Sequence, residues 1–253
     1  MTQKRIPLMK IFHRDEEIAA LRGRLRSRKS LLLHGPSGVG KTLLLEHVVP
    51  EYRDVLYCSQ ASSPHAVFGA LAEELVRNQD PALLLALRGR SSEAMSAVSL
   101  KGIAIRVLRG SKYMVVLDHL NRPSHSVAAT IRELMISCSV PVIAVARSAH
   151  MEDAGFVAPL FPDRGDKLAI KNFDPDIAES FVRVLAEEEG LRVENFDEFV
   201  TRVVELSDGN PGAIAKIVRM AGMPKYRLGS HVKLSPLYID FRLDSVSAKS
   251  KLR

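Results

Sequence analysis

GPSGVGKT, residues 35–42, is the stretch whose reading decides the fold. Its spacing, glycine, four residues, then Gly-Lys-Thr, is that of a loop that cradles phosphate. Glycines let the backbone curl so that successive N–H groups aim at one anion, and the helix that follows adds its positive end. Lys41 is placed to reach the β- and γ-phosphates, and the Thr42 hydroxyl to ligate Mg²⁺. The flanks agree. An apolar run at 30–34 fits a buried strand, and 41–48 reads as a helix that stops near Pro50. The expectation is a nucleoside triphosphate, ATP with magnesium, held by Gly35, Pro36, Ser37, Gly38, Val39, Gly40, Lys41, Thr42 and Leu43. Binding does not by itself imply hydrolysis.

Upstream of the loop, residues 14–29 are predicted as a helix. Ile18, Leu21 and Leu25 recur at three- and four-residue spacing, with acids early and basic residues late. Downstream, further strands are predicted at 54–58 (DVLYC), 113–117 (YMVVL), 140–145 (VPVIAV) and 167–170 (KLAI). Helices are predicted from Pro64 through Val76, as a pair within 81–109 broken near 88–92, and at 126–136. Strands alternating with helices define an α/β fold, a mostly parallel sheet covered by helices on both faces. After Phe173 the texture changes. Asp174-Pro175 reads as an N-cap and first turn, and helices at 176–188, 196–206 and 211–220 follow with no strand between them. The predicted organisation is a core at 1–172, a small helical lid domain at 173–222, and a basic extension at 223–253. In that extension 237–243 (LYIDFRL) is expected as an edge strand and 244–253 as disordered.

A nucleotide-hydrolysing site needs a carboxylate near the metal, on a strand adjacent to the loop strand. Asp118, which ends YMVVL, is the candidate, and with Thr42 it makes the expected metal pair. Its neighbour is His119. A histidine there can act as a base, since it titrates near neutrality, or it can leave the site slow. Asp153, Glu133 and Glu152 are other acids that the sequence alone cannot place. His34, just before the loop, reads as a local structural histidine.

Together these pieces resemble the AAA+/STAND-type P-loop ATPases, a group of signal-transducing ATPases, archaeal-type ATPases and origin-recognition or transposition-type loaders. FHRDEEIAAL at 12–21 is similar to the opening motif of the group; Arg14 matches its arginine, His13 replaces its glycine, and the resemblance puts Arg14 near the adenine. VVLDH is similar to the second nucleotide motif, with His119 where an acid is usual. VIAVARS at 142–148 resembles the sensor strand, so that Arg147 and Ser148 take the sensing position, and Arg147 would report the γ-phosphate. LSDGNPGAI at 206–214 resembles the Gly-x-Pro motif of a helical lid over the nucleotide, with Gly209 and Pro211 matching. Lys216 and Arg219 would supply phosphate-sensing charge, and Arg122 is a weaker candidate for an arginine finger. The resemblance covers 11–222. It implies catalytic roles for Lys41, Asp118, His119 and Arg147, a loop strand at the centre of the sheet, and nucleotide-driven association with a protein partner or further copies. No long effector region follows the lid in this sequence, unlike the large signalling members.

Composition bounds the alternatives. The chain of 253 residues is 46% hydrophobic and 26% charged, enough for a sizeable core and a satellite domain. Its two cysteines lack metal-ligand spacing and read as buried thiols of a reducing compartment. No run approaches the roughly 20 apolar residues of a membrane span, and no leader pattern is visible, so the expected location is the cytoplasm. Of the net charge of +7, residues 1–30 carry nine Lys/Arg against three acids and 223–253 seven against two. Basic ends of this kind admit a nucleic-acid partner, and a nucleotide-gated DNA-binding or loader protein with little hydrolysis is the competing reading. A scaffold that binds nucleotide for stability alone is a third.

Overall fold

The structure is a computed structural model that describes residues 11–87, 89 and 95–250. The basic stretch 1–10, most of the expected helix break at 88–92 and the last three residues lie outside those described. The contacts divide the chain into two units. A sheet unit comprises Arg14–Pro36 and Lys41–Ile170, and a helical unit comprises Ser37–Gly40, residues from Lys171 onward and 11–13.

The sheet unit runs α1 (Asp15–Ser27), β1 (Leu31–His34), α2 (Lys41–Val48), β2 (Val55–Cys58), α3 (Pro64–Arg77), α4 (Pro81–Leu87), α5 (Ala97–Leu108), β3 (Met114–Leu120), α6 (His125–Arg132), β4 (Val142–Ala146), α7 (Met151–Ala154) and β5 (Lys167–Ala169). The strands form one parallel sheet in the order β2-β3-β4-β1-β5. Leu32, Leu56, Val115, Leu117, Val142 and Ala144 pack into one core with α3, α5 and α6. The alternate residues, Leu31, Leu33, Met114, Val116, Ile143 and Val145, are buried too. Strand side chains alternate in direction, so burial of both sets requires cover on both faces. Ile18, Leu21 and Leu25 of α1 and Leu44, Leu45 and Val48 of α2 are buried as well. Hydroxyls start several helices. Ser63 accepts from Ala66 N, Ser96 from Ser99 N and Ser124 from Val127 N, each worth about 1 kcal/mol against alanine.

Three expectations need correction here. β1 is interior but not central; β4 is the middle strand. For the same reason the strand that carries Asp118 does not adjoin the loop strand, because β4 lies between them. The helix expected at 126–136 ends as α6 at Arg132 and continues as a π-helical turn, Glu133–Ser137.

The helical unit contains α8 (Pro175–Glu188), α9 (Phe196–Ser207), α10 (Pro211–Ala221), a minimal antiparallel pair β6 (Arg227–Leu228) and β7 (His231–Val232), and α11 (Leu234–Ser250). Its own core includes Phe173, Phe181, Phe199, Ile214, Tyr226, Leu237 and Phe241. Phe12 joins that core, 5.2 Å from the Phe181 ring. Pro175 opens α8 as expected, but Asp174 makes no side-chain capping bond. Residues 237–243 are not a strand. Leu237 and Phe241, four apart, bury one face of α11, and the helix runs on through 244–250.

Candidate functional site

In the sheet unit, Lys41 opens α2 and folds back on the residues before it. Its Nζ donates to Gly35 O at 2.6 Å and Pro36 O at 2.9 Å. Burial lowers its pKa from 10.5 to about 8; Asp118 and Asp153 pull it back up, and Arg147 lowers it further. A half-desolvated ammonium of this kind gains from any anion brought within reach, because the anion offsets the cost of burying the charge.

Asp118 owes its position to an irregularity in β3. Leu117 pairs with Ala144 and Leu120 with Ala146, so Asp118 and His119 together face one residue of β4. Such a bulge bends the strand and re-aims side chains. His119 takes φ +55 at this point. The Asp118 side chain is 1% exposed and fully engaged. Its Oδ2 accepts from Thr42 Oγ1 at 2.8 Å and from Tyr57 Oη at 2.8 Å, and its Oδ1 from His119 N at 2.7 Å. Burial, followed by the nearby Asp118 charge, drives the Tyr57 phenol well above its ordinary range, so it remains a donor. The expected metal pair is therefore in contact across the intervening strand. The set is hard oxygen, and among the described residues no group of three or more His, Cys, Asp or Glu could hold a metal. That suits Mg²⁺, which is typically bound by few protein oxygens together with water and substrate phosphate. With its proton directed to Oδ2, Thr42 also has its oxygen lone pairs free for a cation.

The remaining sheet-unit candidates separate. The His119 ring is 62% exposed, with Nε2 3.7 Å from Asp118 Oδ2, beyond hydrogen-bond range. Arg147 is half-buried at the end of β4 and within electrostatic reach of Lys41; among the described residues it makes no hydrogen bond or ion pair. Ser148 accepts from His150 N in a turn. Of the three unplaced acids, Asp153 acts on Lys41, Glu133 pairs with Lys101 at 2.7 Å, and the Glu152 carbonyl accepts from Arg122 Nε at 3.2 Å. That last bond, with Arg122 N donating to Asp153 O at 2.9 Å and φ +49 at Arg122, ties the finger candidate to α7 of its own chain. His34 is held toward its neutral form by burial, with nearby Lys167 adding to the effect. Arg14 pairs with Glu17 at 2.7 Å.

In the helical unit, Asn210 is the N-cap of α10 and Pro211 its first residue. Asn210 Oδ1 accepts from Ala213 N, while Nδ2 donates to Ser37 O at 3.0 Å and Asn172 Oδ1 at 3.1 Å. Gly212 N donates to Gly38 O at 2.9 Å. Space there admits only glycine: a Cβ on Gly38 would meet Asn210 Oδ1 at 2.7 Å, and one on Gly212 would meet Gly38 O at 2.9 Å. The Gly-Asn-Pro-Gly run is thus bonded to loop residues Ser37 and Gly38, which spacing alone did not reveal. Lys216 pairs with Asp244 at 3.0 Å, and its Nζ lies 5.6 Å from the centroid of the Phe241 ring. Arg219 is exposed in the last turn of α10, roughly 10 Å along the axis from Gly212.

Three of the arginines in and just after α1 are paired inside the sheet unit. Arg22 binds Glu51, Arg24 binds Asp166, and Arg28 binds Asp54 and the Tyr113 carbonyl. In the extension, Lys225 binds Asp240. No helix among the described residues is long and apolar enough to cross a membrane.

No curated protein matches the chain. Among solved structures, a Walker-type ATPase of Pyrococcus abyssi aligns at TM-score 0.59 and 18% identity, over 95% of this chain and 75% of that one. The Orc1 protein of Aeropyrum pernix, solved in complex with DNA, aligns at 0.62 and 18%, over 92% and 65%. Cdc6p of Pyrobaculum aerophilum aligns at 0.52 and 15%, over 88% and 63%. At these identities the likeness is one of fold, and the chain spans less than two thirds of the last two. The family model described as an AAA ATPase domain matches residues 10–143, just over half of the chain; by that match the protein belongs to the AAA ATPase family.

Proposed function

We propose that the chain binds ATP with Mg²⁺ through the loop at 35–42, hydrolyses it slowly, and couples the nucleotide state to a partner or to self-association. The observation that carries this is the Thr42–Asp118 hydrogen bond at 2.8 Å, which joins the loop hydroxyl to a buried carboxylate. Lys41 neutralises phosphate charge, Thr42 and Asp118 would hold the metal, and Arg147, which has no ion pair among the described residues, answers the terminal phosphate. When bound, Mg²⁺ would offset the negative charge that develops on the phosphate during transfer. Slow turnover follows from His119, which stands where an acid is usual and whose ring is mostly exposed. The cytoplasm remains the proposed location.

Phosphate release by the wild type, Lys41→Ala and His119→Glu, with and without duplex DNA, tests this. Expected are a low wild-type rate, none above background for Lys41→Ala, and a gain of about tenfold or more for His119→Glu, within the usual range for general-base catalysis. A wild-type rate no greater than Lys41→Ala under every condition would refute the ATPase. A nucleotide-gated DNA-binding protein is the second reading, favoured by the DNA held by the similarly folded Orc1 structure. Against it stands the internal pairing of Arg22, Arg24 and Arg28. DNA binding that falls with salt and strengthens with a non-hydrolysable ATP analogue would select it.

A further inference from the structure

Tyr57 was not singled out by its sequence, yet it makes one of the two hydroxyl contacts to the Asp118 carboxylate. The sheet register explains how. Tyr57 on β2 pairs with Val116 on β3, and Asp118 lies two residues further along the same strand. Residues two apart share a face, and a diagonal neighbour at that distance is reached only by a long side chain. Val55, Leu56 and Cys58 around Tyr57 are buried and apolar. Tyr57 is therefore the polar member of its strand, and its phenol ends on Asp118 Oδ2 at 2.8 Å. Thr42 Oγ1 ends on that same oxygen. With the carboxylate 1% exposed, bulk water is kept from replacing either donor, and a buried acceptor that loses a partner pays its desolvation in full.

We infer that Tyr57 is a positioning residue for Asp118: its hydroxyl pins Oδ2 toward Thr42 and so sets how strongly the Thr42–Asp118 pair takes a divalent cation together with nucleotide. This rests on the Mg²⁺–nucleotide reading above. Tyr57 touches neither nucleotide nor metal in this role and acts through the carboxylate. The bulge makes such a brace necessary, because it releases Asp118 and His119 from regular pairing with β4, and, besides Thr42 on Oδ2, the other bond that the described residues make to the carboxylate is the local one from His119 N to Oδ1.

The test is binding of a fluorescent ATP analogue to the full chain, titrated with MgCl₂ and repeated in EDTA. Tyr57→Phe keeps the ring and removes the hydroxyl. Expected is a rise of roughly tenfold in the Mg²⁺ concentration that half-saturates the gain in affinity, the size of one hydrogen bond to a charged group, with affinity in EDTA unchanged. Leu75→Ala, a core change elsewhere in the sheet unit, is expected to lower stability and leave the Mg²⁺ midpoint alone. Should Tyr57→Phe fold poorly, Tyr57→Gln against Tyr57→Leu makes the same comparison, with the donor-bearing glutamine nearer the wild-type midpoint. A wild type that gains from Mg²⁺ and a Tyr57→Phe with the same midpoint would overturn the role of Tyr57 alone. Loss of affinity in EDTA equal to that in Mg²⁺ would also overturn it, as general damage. A wild type without any gain from Mg²⁺ would overturn this inference and the nucleotide–metal reading together.

Discussion

Gly209 sits at φ +67, and a Cβ there would lie 2.1 Å from the Phe173 carbonyl oxygen. Phe173 N donates to Gly209 O at 2.9 Å, so the two backbones are tied at this point and cannot separate without losing a bond. Asp208 just before it is also left-handed, at φ +50. Gly23, in the middle of α1, is the opposite case: a Cβ would meet nothing within 4 Å. Gly23→Ala is expected to stabilise by about 0.5–1 kcal/mol, because alanine gives up less backbone entropy in a helix. Gly209→Ala is expected to cost more than about 2 kcal/mol, combining left-handed strain with a backbone clash. Urea midpoints of the two variants check both signs, and a neutral Gly209→Ala would refute the close approach to Phe173.

At the scale of elements, the same local pattern can serve two structures. Leu237, Ile239, Phe241 and Leu243 alternate as a strand would, while Leu237 and Phe241 are also spaced as one helix face. The helix prevails: Leu237 and Phe241 are buried, and Ile239 and Leu243 are more than half exposed. The prediction is that Ile239→Pro destabilises the helical unit by about 3 kcal/mol or more and lowers the far-UV helical signal, since proline breaks a helix interior. An edge strand would tolerate it far better, so a mild effect would restore the strand reading. This contrast marks what was legible. Continuous apolar runs such as YMVVL announced buried strands, and GPSGVGKT announced its own surroundings, because both signals are local. The strand order, the bulge at Asp118, the partnership of Tyr57 and the bonds from Asn210 and Gly212 to Ser37 and Gly38 join residues remote in sequence, and no single window contains them. Arg22, Arg24 and Arg28, in and just after α1, mislead for the same reason, since Glu51, Asp166 and Asp54 that pair with them lie elsewhere in the chain.

At the scale of the whole molecule, each unit has its own hydrophobic core, and both cysteines belong to that of the sheet unit. Cys58 and Cys138 are buried and free. Burial pushes the Cys58 thiol up from 9.0 to about 11, so at neutral pH it is both inaccessible and protonated, and the thiolate is the reactive form. A thiol reagent is therefore expected to report opening of the sheet unit. Leu75→Ala in the same core, at about 3 kcal/mol, is expected to raise labelling on the order of 100-fold wherever reclosing outpaces reaction. The shift also gives stability a pH dependence with a definite sign. Because the folded state holds the Cys58 proton more tightly than the unfolded chain, this contribution is complete below about pH 9 and is lost as pH rises through about 11. Replacing Cys58 by alanine is expected to flatten that alkaline decline while costing core packing at every pH. Denaturation midpoints of wild type and Cys58→Ala between pH 7 and pH 11, in buffers spanning about four units, would show the two curves converging at the alkaline end; parallel curves would mean that the thiol does not govern the decline.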